Sequence, residues 1–128
     1  MSDPRRVHAV GPSNAKIAIV GMGPARDEMI AGQPFVGFAG QLLNKCLAEI
    51  GVRRESVYLT NVVETFLPPG TSLLAQPRSI LDEGIARLAS ELQTLQPNVV
   101  VPLGDEPLYI LCGLRGIQKW RGSILHSS

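Results

Sequence analysis

Cysteine is scarce in this chain: Cys46 and Cys112 are the only two in 128 residues, far apart and with no CxxC spacing. That argues against a disulfide framework and against a zinc site. Charge of one sign is also lacking, since 12 Lys and Arg oppose 11 Asp and Glu for a net of +1. Non-specific nucleic-acid binders carry a strongly basic stripe, so any nucleic-acid contact here must be local. No apolar run approaches the ~20 residues that span a membrane. The opening MSDPRRVHAV has no apolar segment of the kind a secretory signal requires. The expectation is a soluble, reducing, cytoplasmic setting with no membrane partner. Internal repeats and low-complexity tracts are absent as well.

What is present suffices for one domain. Hydrophobic residues make up 45% of the chain, enough to bury a core. Residues 1–15 hold Asp3-Pro4, Gly11-Pro12 and Ser13-Asn14 and read as a flexible lead-in to a domain over 16–128. Lys16-Ile-Ala-Ile-Val-Gly21 predicts a buried strand, Val57–Val63 a second and Val99–Gly104 a third, with Pro102 at its end. Trp120–His126 predicts a fourth. Leu42, Leu43, Cys46, Leu47 and Ile50 fall on one helical face, which makes Cys46 a buried small hydrophobe. Gly51 stands where a helix-ending glycine would. Leu81, Ile85, Leu88, Leu92 and Leu95 mark the clearest helix, with Ser79-x-x-Asp82 as a weak cap and Pro97 as its stop. Asp105 caps a short helix over Pro107–Cys112. Strands alternating with helices imply right-handed crossovers and a mostly parallel sheet covered on both faces. Ligands of such sheets bind beyond the carboxyl ends of the strands.

Two stretches lie there. The first is the loop Gly21–Gly37, where Gly21 and Gly23 allow backbone to approach a ligand closely. A generic reading as a phosphate loop is weak: GxGxxG fails at position 26, and GK[ST] is missing. Phe35 has two open readings, a ligand contact or a loop residue folded into the core. The second is Asn61, in Leu59-Thr-Asn-Val-Val63. Its side chain offers an acceptor and a donor together, the pair needed to read N3–H and O4 of a pyrimidine. The open alternative is an asparagine bonding its own backbone.

Along these residues the chain resembles the uracil-DNA glycosylase superfamily, in its family 4 (thermophile-type) branch. The family's loop runs G-E-(A/G)-P-G-x-x-E-D-x-x-G-x-P-F-V-G-x-A-G-x-L-L. Gly21, Gly23, Pro24, Glu28, Gly32, Pro34–Gly37, Ala39, Gly40, Leu42 and Leu43 match it without a gap. Val57–Val63 is similar to its V-Y-(I/L)-T-N-V-V strand, Pro68-Pro69-Gly70 to its R-P-P-G-N-R turn, and Gln96–Gly104 to its P-x-V-(I/V)-V-x-L-G strand. Trp120-Arg-Gly122 lies near its (L/I)-R-G-x-W region. The resemblance implies a three-layer α/β/α sandwich around a central, mostly parallel four-stranded sheet. It implies base-excision repair, by hydrolysis of the N-glycosidic bond of a uracil flipped out of DNA. Phe35 would stack on that base. Asn61 would bond its Watson–Crick edge and reject cytosine. The backbone at Gly21 and Gly23 would lie near the sugar and the attacking water. The partner implied is DNA containing uracil or another modified base.

Three departures from the pattern matter. The family acid is Met22, so no catalytic residue is assigned; losing a catalytic carboxylate costs on the order of 10²–10⁴ in rate. Glu28 matches a glutamate of the family's scaffold. The family's iron–sulfur cluster needs four cysteines, and the one after the asparagine strand is Thr65. No cofactor and no metal site are expected. The final H-P-(A/S) motif is missing, so the chain reads as C-terminally shortened, and His126, followed by Ser-Ser, takes no catalytic role. Either it is a piece of a longer polypeptide, such as a phage or bacterial polymerase or another replication protein, or it is a short paralogue. Three readings follow: a glycosylase, a DNA- or base-binding module of weak or no activity, and a structural relic, which need not keep Phe35 and Asn61 together.

Overall fold

The computed structural model describes residues 6–117 and 123–124. The strands are β1 (Ile17–Gly21), β2 (Tyr58–Asn61), β3 (Val99–Pro102) and β4 (Ser123–Ile124). The helices are α1 (Arg26–Ala31), α2 (Phe38–Glu49), α3 (Arg78–Leu95) and α4 (Asp105–Ile117). All strand pairs are parallel, in the order β2-β1-β3-β4. The first three strands form the body of the sheet. The fourth is reduced to two residues of the expected Trp120–His126. Trp120-Arg-Gly122 and His126 lie outside the described residues.

Alternation along β1 separates two cores. Ala18 and Val20 face α3 and α4 with Leu88, Leu92, Val100 and Leu111. Ile19 faces α2 with Leu47, Val57, Leu59 and Phe35. That is the α/β/α sandwich anticipated. Leu88 and Leu92 have no exposed surface; each contributes ~1.5–3 kcal/mol by burial.

Several local expectations change. The loop Gly21–Gly37 contains a six-residue helix, α1. The Ser79/Asp82 cap does not form: α3 begins at Arg78 behind Pro77, and Asp82 pairs instead with Arg78 at 3.3 Å. The helix placed at Pro107–Cys112 runs the full length of α4. Cys46 is exposed, not buried. Helix α2 turns Leu43 and Leu47 into the core beneath it, while Leu42 is 54% and Ile50 71% exposed. The lead-in is anchored over residues 6–15. Val7 is buried and its N–H donates to the Glu64 carbonyl, while Val10 and Leu59 form an antiparallel bridge. His8 is exposed, with Nδ1 3.2 Å from Glu64.

Candidate functional site

The chain leaves β1 over one face of the sheet through α2 and enters β3 from the other face through α3. The crevice between these strands is the topological switch point, where open α/β sheets bind ligands. A cavity of about 190 Å³ lies there, lined by Gly21, Met22, Gly23, Ala25, Glu28, Phe35, Ala39, Asn61 and Leu103. All four residues expected to bind substrate are therefore brought together, with Met22 beside them.

Asn61 ends β2 directly opposite Gly21. It is 5% exposed. Among the described residues its side-chain amide makes no hydrogen bond, so it does not cap its own backbone. A buried amide with no partner is costly, and here both of its polar atoms belong to a group lining an open cavity. Gly21 makes the juxtaposition possible: a Cβ there would stand 2.6 Å from Asn61 Oδ1 and 2.8 Å from Phe35 Cζ. Gly23 plays a scaffold part, packed against Val63 and Leu67.

Phe35 satisfies both of its readings, since its ring joins the α2-side core and also lines the cavity. Its backbone is left-handed, φ 55°, a conformation that costs an L-residue roughly 1–2 kcal/mol. The surroundings enforce it from three sides. Arg54 Nη2 donates to the Pro34 carbonyl at 2.8 Å. The N–H groups of Val36 and Gly37 donate to Glu28 Oε2 at 3.0 and 2.7 Å. Gly40, in the first turn of α2, lies against the Phe35 carbonyl, where a Cβ would approach to 1.9 Å.

Glu28 is a loop clamp. Its other oxygen accepts the Ala25 N–H at 3.0 Å. Burial pushes its carboxyl up, but the N–H groups of Gly37, Val36 and Ala25 outweigh that and hold it below the usual carboxylate range. A carboxylate committed to three backbone donors and kept ionised suits scaffolding better than proton transfer at neutral pH. Met22 lines the cavity at 37% exposure with an uncharged thioether.

Behind β2 stands a polar network that sequence reasoning missed. Arg87 of α3 donates to the carbonyls of Asn61 and Val62, at 2.5 and 3.0 Å, and to Glu91 at 2.5 Å. Thr60 Oγ1 donates to Glu91 at 2.8 Å. Burial and the Glu91 carboxylate push the Tyr58 phenol up to about 12. Arg54 and Arg87 bond partners 20 and 26 residues away. No local pattern announces such contacts.

The family's iron–sulfur cluster takes four cysteines, and this sequence has two. Its two cysteines are exposed on separate helices, α2 and α4, whereas cubane clusters take four thiolates. Among the described residues, no three His, Cys, Asp or Glu side chains gather as a metal site.

Fold and cavity define a class: a parallel α/β sandwich whose switch-point pocket pairs an aromatic ring with one amide that is unpartnered among the described residues. Comparison with known proteins narrows it. The family model described as the uracil DNA glycosylase superfamily matches residues 8–127, and the chain belongs to that superfamily. It is 42% identical over 98 residues to a type-4 uracil-DNA glycosylase of Archaeoglobus fulgidus, covering 77% of this chain and 48% of that protein. It is 36% identical over 115 residues to the type-4 uracil-DNA glycosylase of Thermotoga maritima, covering 88% and 58%. It is also 30% identical over 123 residues to a DNA polymerase of Bacillus phage SP01, covering 95% of this chain and 13% of the polymerase. The chain spans about half the length of the curated glycosylases it matches.

Proposed function

We propose that this domain serves base-excision repair by receiving a uracil flipped out of DNA in the switch-point cavity and hydrolysing its N-glycosidic bond. The observation that supports it best is Asn61, a buried amide with no partner among the described residues, beside Phe35 in one cavity. Cytosine presents an amine and a bare N3 where uracil presents a carbonyl and an N–H, so a fixed amide discriminates between them. Bond cleavage builds positive charge on the sugar and negative charge on the leaving base, and the protein must stabilise both. Met22 supports a second reading, a module that binds the base and cleaves slowly or not at all.

One assay separates these readings. The protein is incubated in excess with a uracil-containing single-stranded oligonucleotide, and alkali-sensitive abasic sites are counted. Cleavage that Met22→Glu accelerates supports the first reading. Uracil-selective binding without cleavage supports the second. Neither binding nor cleavage sinks both.

The same reading takes the domain to be cluster-free, so iron and acid-labile sulfide in the purified protein should be negligible. No described helix is long and apolar enough to cross a membrane; the cytoplasmic setting proposed here follows from the DNA substrate proposed. The phage polymerase relative supports a place within or beside replication machinery.

A further inference from the structure

We infer that Arg87 is a positioning residue for base recognition: by holding the end of β2 it fixes the Asn61 amide at the cavity and so sets the preference for uracil over cytosine. This rests on the base-recognition reading above. Strand β2 is the edge of the sheet. Leu59 spends both its backbone groups outward, on Val10, at 2.7 and 3.0 Å. Two residues on, Asn61 faces outward again, where no strand follows. Its carbonyl is taken by Arg87 Nη2 at 2.5 Å, and the same nitrogen holds the Val62 carbonyl at 3.0 Å. The inner side of this turn is held separately, by the Val62 N–H on the Gly21 carbonyl at 2.9 Å. Asn61 is thus pinned between β1 and a guanidinium.

The guanidinium is itself oriented. Glu91 takes Nη1 at 2.5 Å, Glu64 lies 3.6 Å from Nε, and Thr60 Oγ1 stands 3.4 Å from Nη1 and bonds Glu91. Only a planar fork satisfies carbonyls and carboxylates together. Arg87 lines no part of the cavity, so it acts through Asn61. A side-chain amide with no hydrogen-bond partner among the described residues is aimed by its backbone and its packing alone, and that gives the distant arginine its leverage on selectivity.

Anisotropy titrations of the full chain with single-stranded oligonucleotides bearing one uracil or one cytosine test this. Wild type should prefer uracil; no preference would overturn the base-recognition reading and this inference with it. Arg87→Lys keeps the charge but not the fork. It should weaken uracil binding about tenfold, the scale of one lost hydrogen bond, and leave cytosine binding unchanged. Equal loss on both probes, or an unchanged ratio, in a folded variant overturns the inference while leaving the base-recognition reading intact. If circular dichroism shows Arg87→Lys unfolded, Thr60→Val and Glu91→Gln carry the test. Each loosens the guanidinium without removing it and should lower the uracil-to-cytosine ratio, and an unchanged ratio in both overturns the role.

Discussion

At Asn61 the fold leaves a buried amide whose hydrogen bonds are open to a ligand. Asn61→Ala should lower affinity for a uracil-bearing oligonucleotide by roughly 10- to 100-fold, the loss of one or two hydrogen bonds. Binding to a cytosine-bearing probe should hardly change, and paired anisotropy titrations check it. Glu28 belongs to the scaffold, and its effect is on stability. Glu28→Gln sets an amide nitrogen against backbone N–H donors and should cost ~1–3 kcal/mol at pH 7. Because the folded carboxyl titrates below its ordinary 4.5, its contribution is complete above that value and fades as the pH falls through the lowered one. The gap between wild type and Glu28→Gln in urea denaturation should therefore close in acid. Asn61 and Phe35 were legible in the sequence as chemistry-bearing residues. Arg54 and Arg87 were not, because what they hold is backbone carbonyls brought near only by folding.

Among the elements, the segment from α1 to α2 carries most of the precision. Phe35 keeps a left-handed backbone because Arg54, Glu28 and Gly40 fix the residues on either side of it. Gly40→Ala drives a Cβ into the Phe35 carbonyl and must displace either α2 or the ring. It should cost about 1–3 kcal/mol and abolish uracil-selective binding, read by urea denaturation with an unchanged m-value and by anisotropy. Long, strongly periodic elements such as α3 could be read directly. Helix α1 could not: six residues among glycines and prolines give too short a period, and its order comes from the Glu28 clamp. The Cys46 expectation failed for a related reason. Periodicity defines an apolar face without saying how much of that face is covered, and on α2 Leu43 and Leu47 are covered while Cys46 is not.

For the molecule as a whole, near-neutral charge bears on the DNA partner proposed above. With a net charge of +1, a strand bound as proposed should have few of its phosphates neutralised. Binding to a uracil-bearing single strand should show log Kd changing with log salt at a slope of about 3 or less, corresponding to roughly four phosphates. A titration between 50 and 200 mM salt, in the range where strongly basic binders lose orders of magnitude, checks it. Affinity should come mainly from the pocket.

The sequence by itself determined the sandwich, the parallel sheet and four of the residues that line the pocket, Gly21, Gly23, Phe35 and Asn61. Strand and helix periods are local, and the motif Gly21–Leu43 with Asn61 is written in contiguous residues. Only the tertiary structure decided that Gly21 faces Asn61 across β1 and β2, that Asn61 has no protein partner among the described residues, and that Arg87 holds its carbonyl. Those facts depend on register between strands and on a helix crossing behind them. Such contacts join residues far apart in the chain, and no local pattern encodes them.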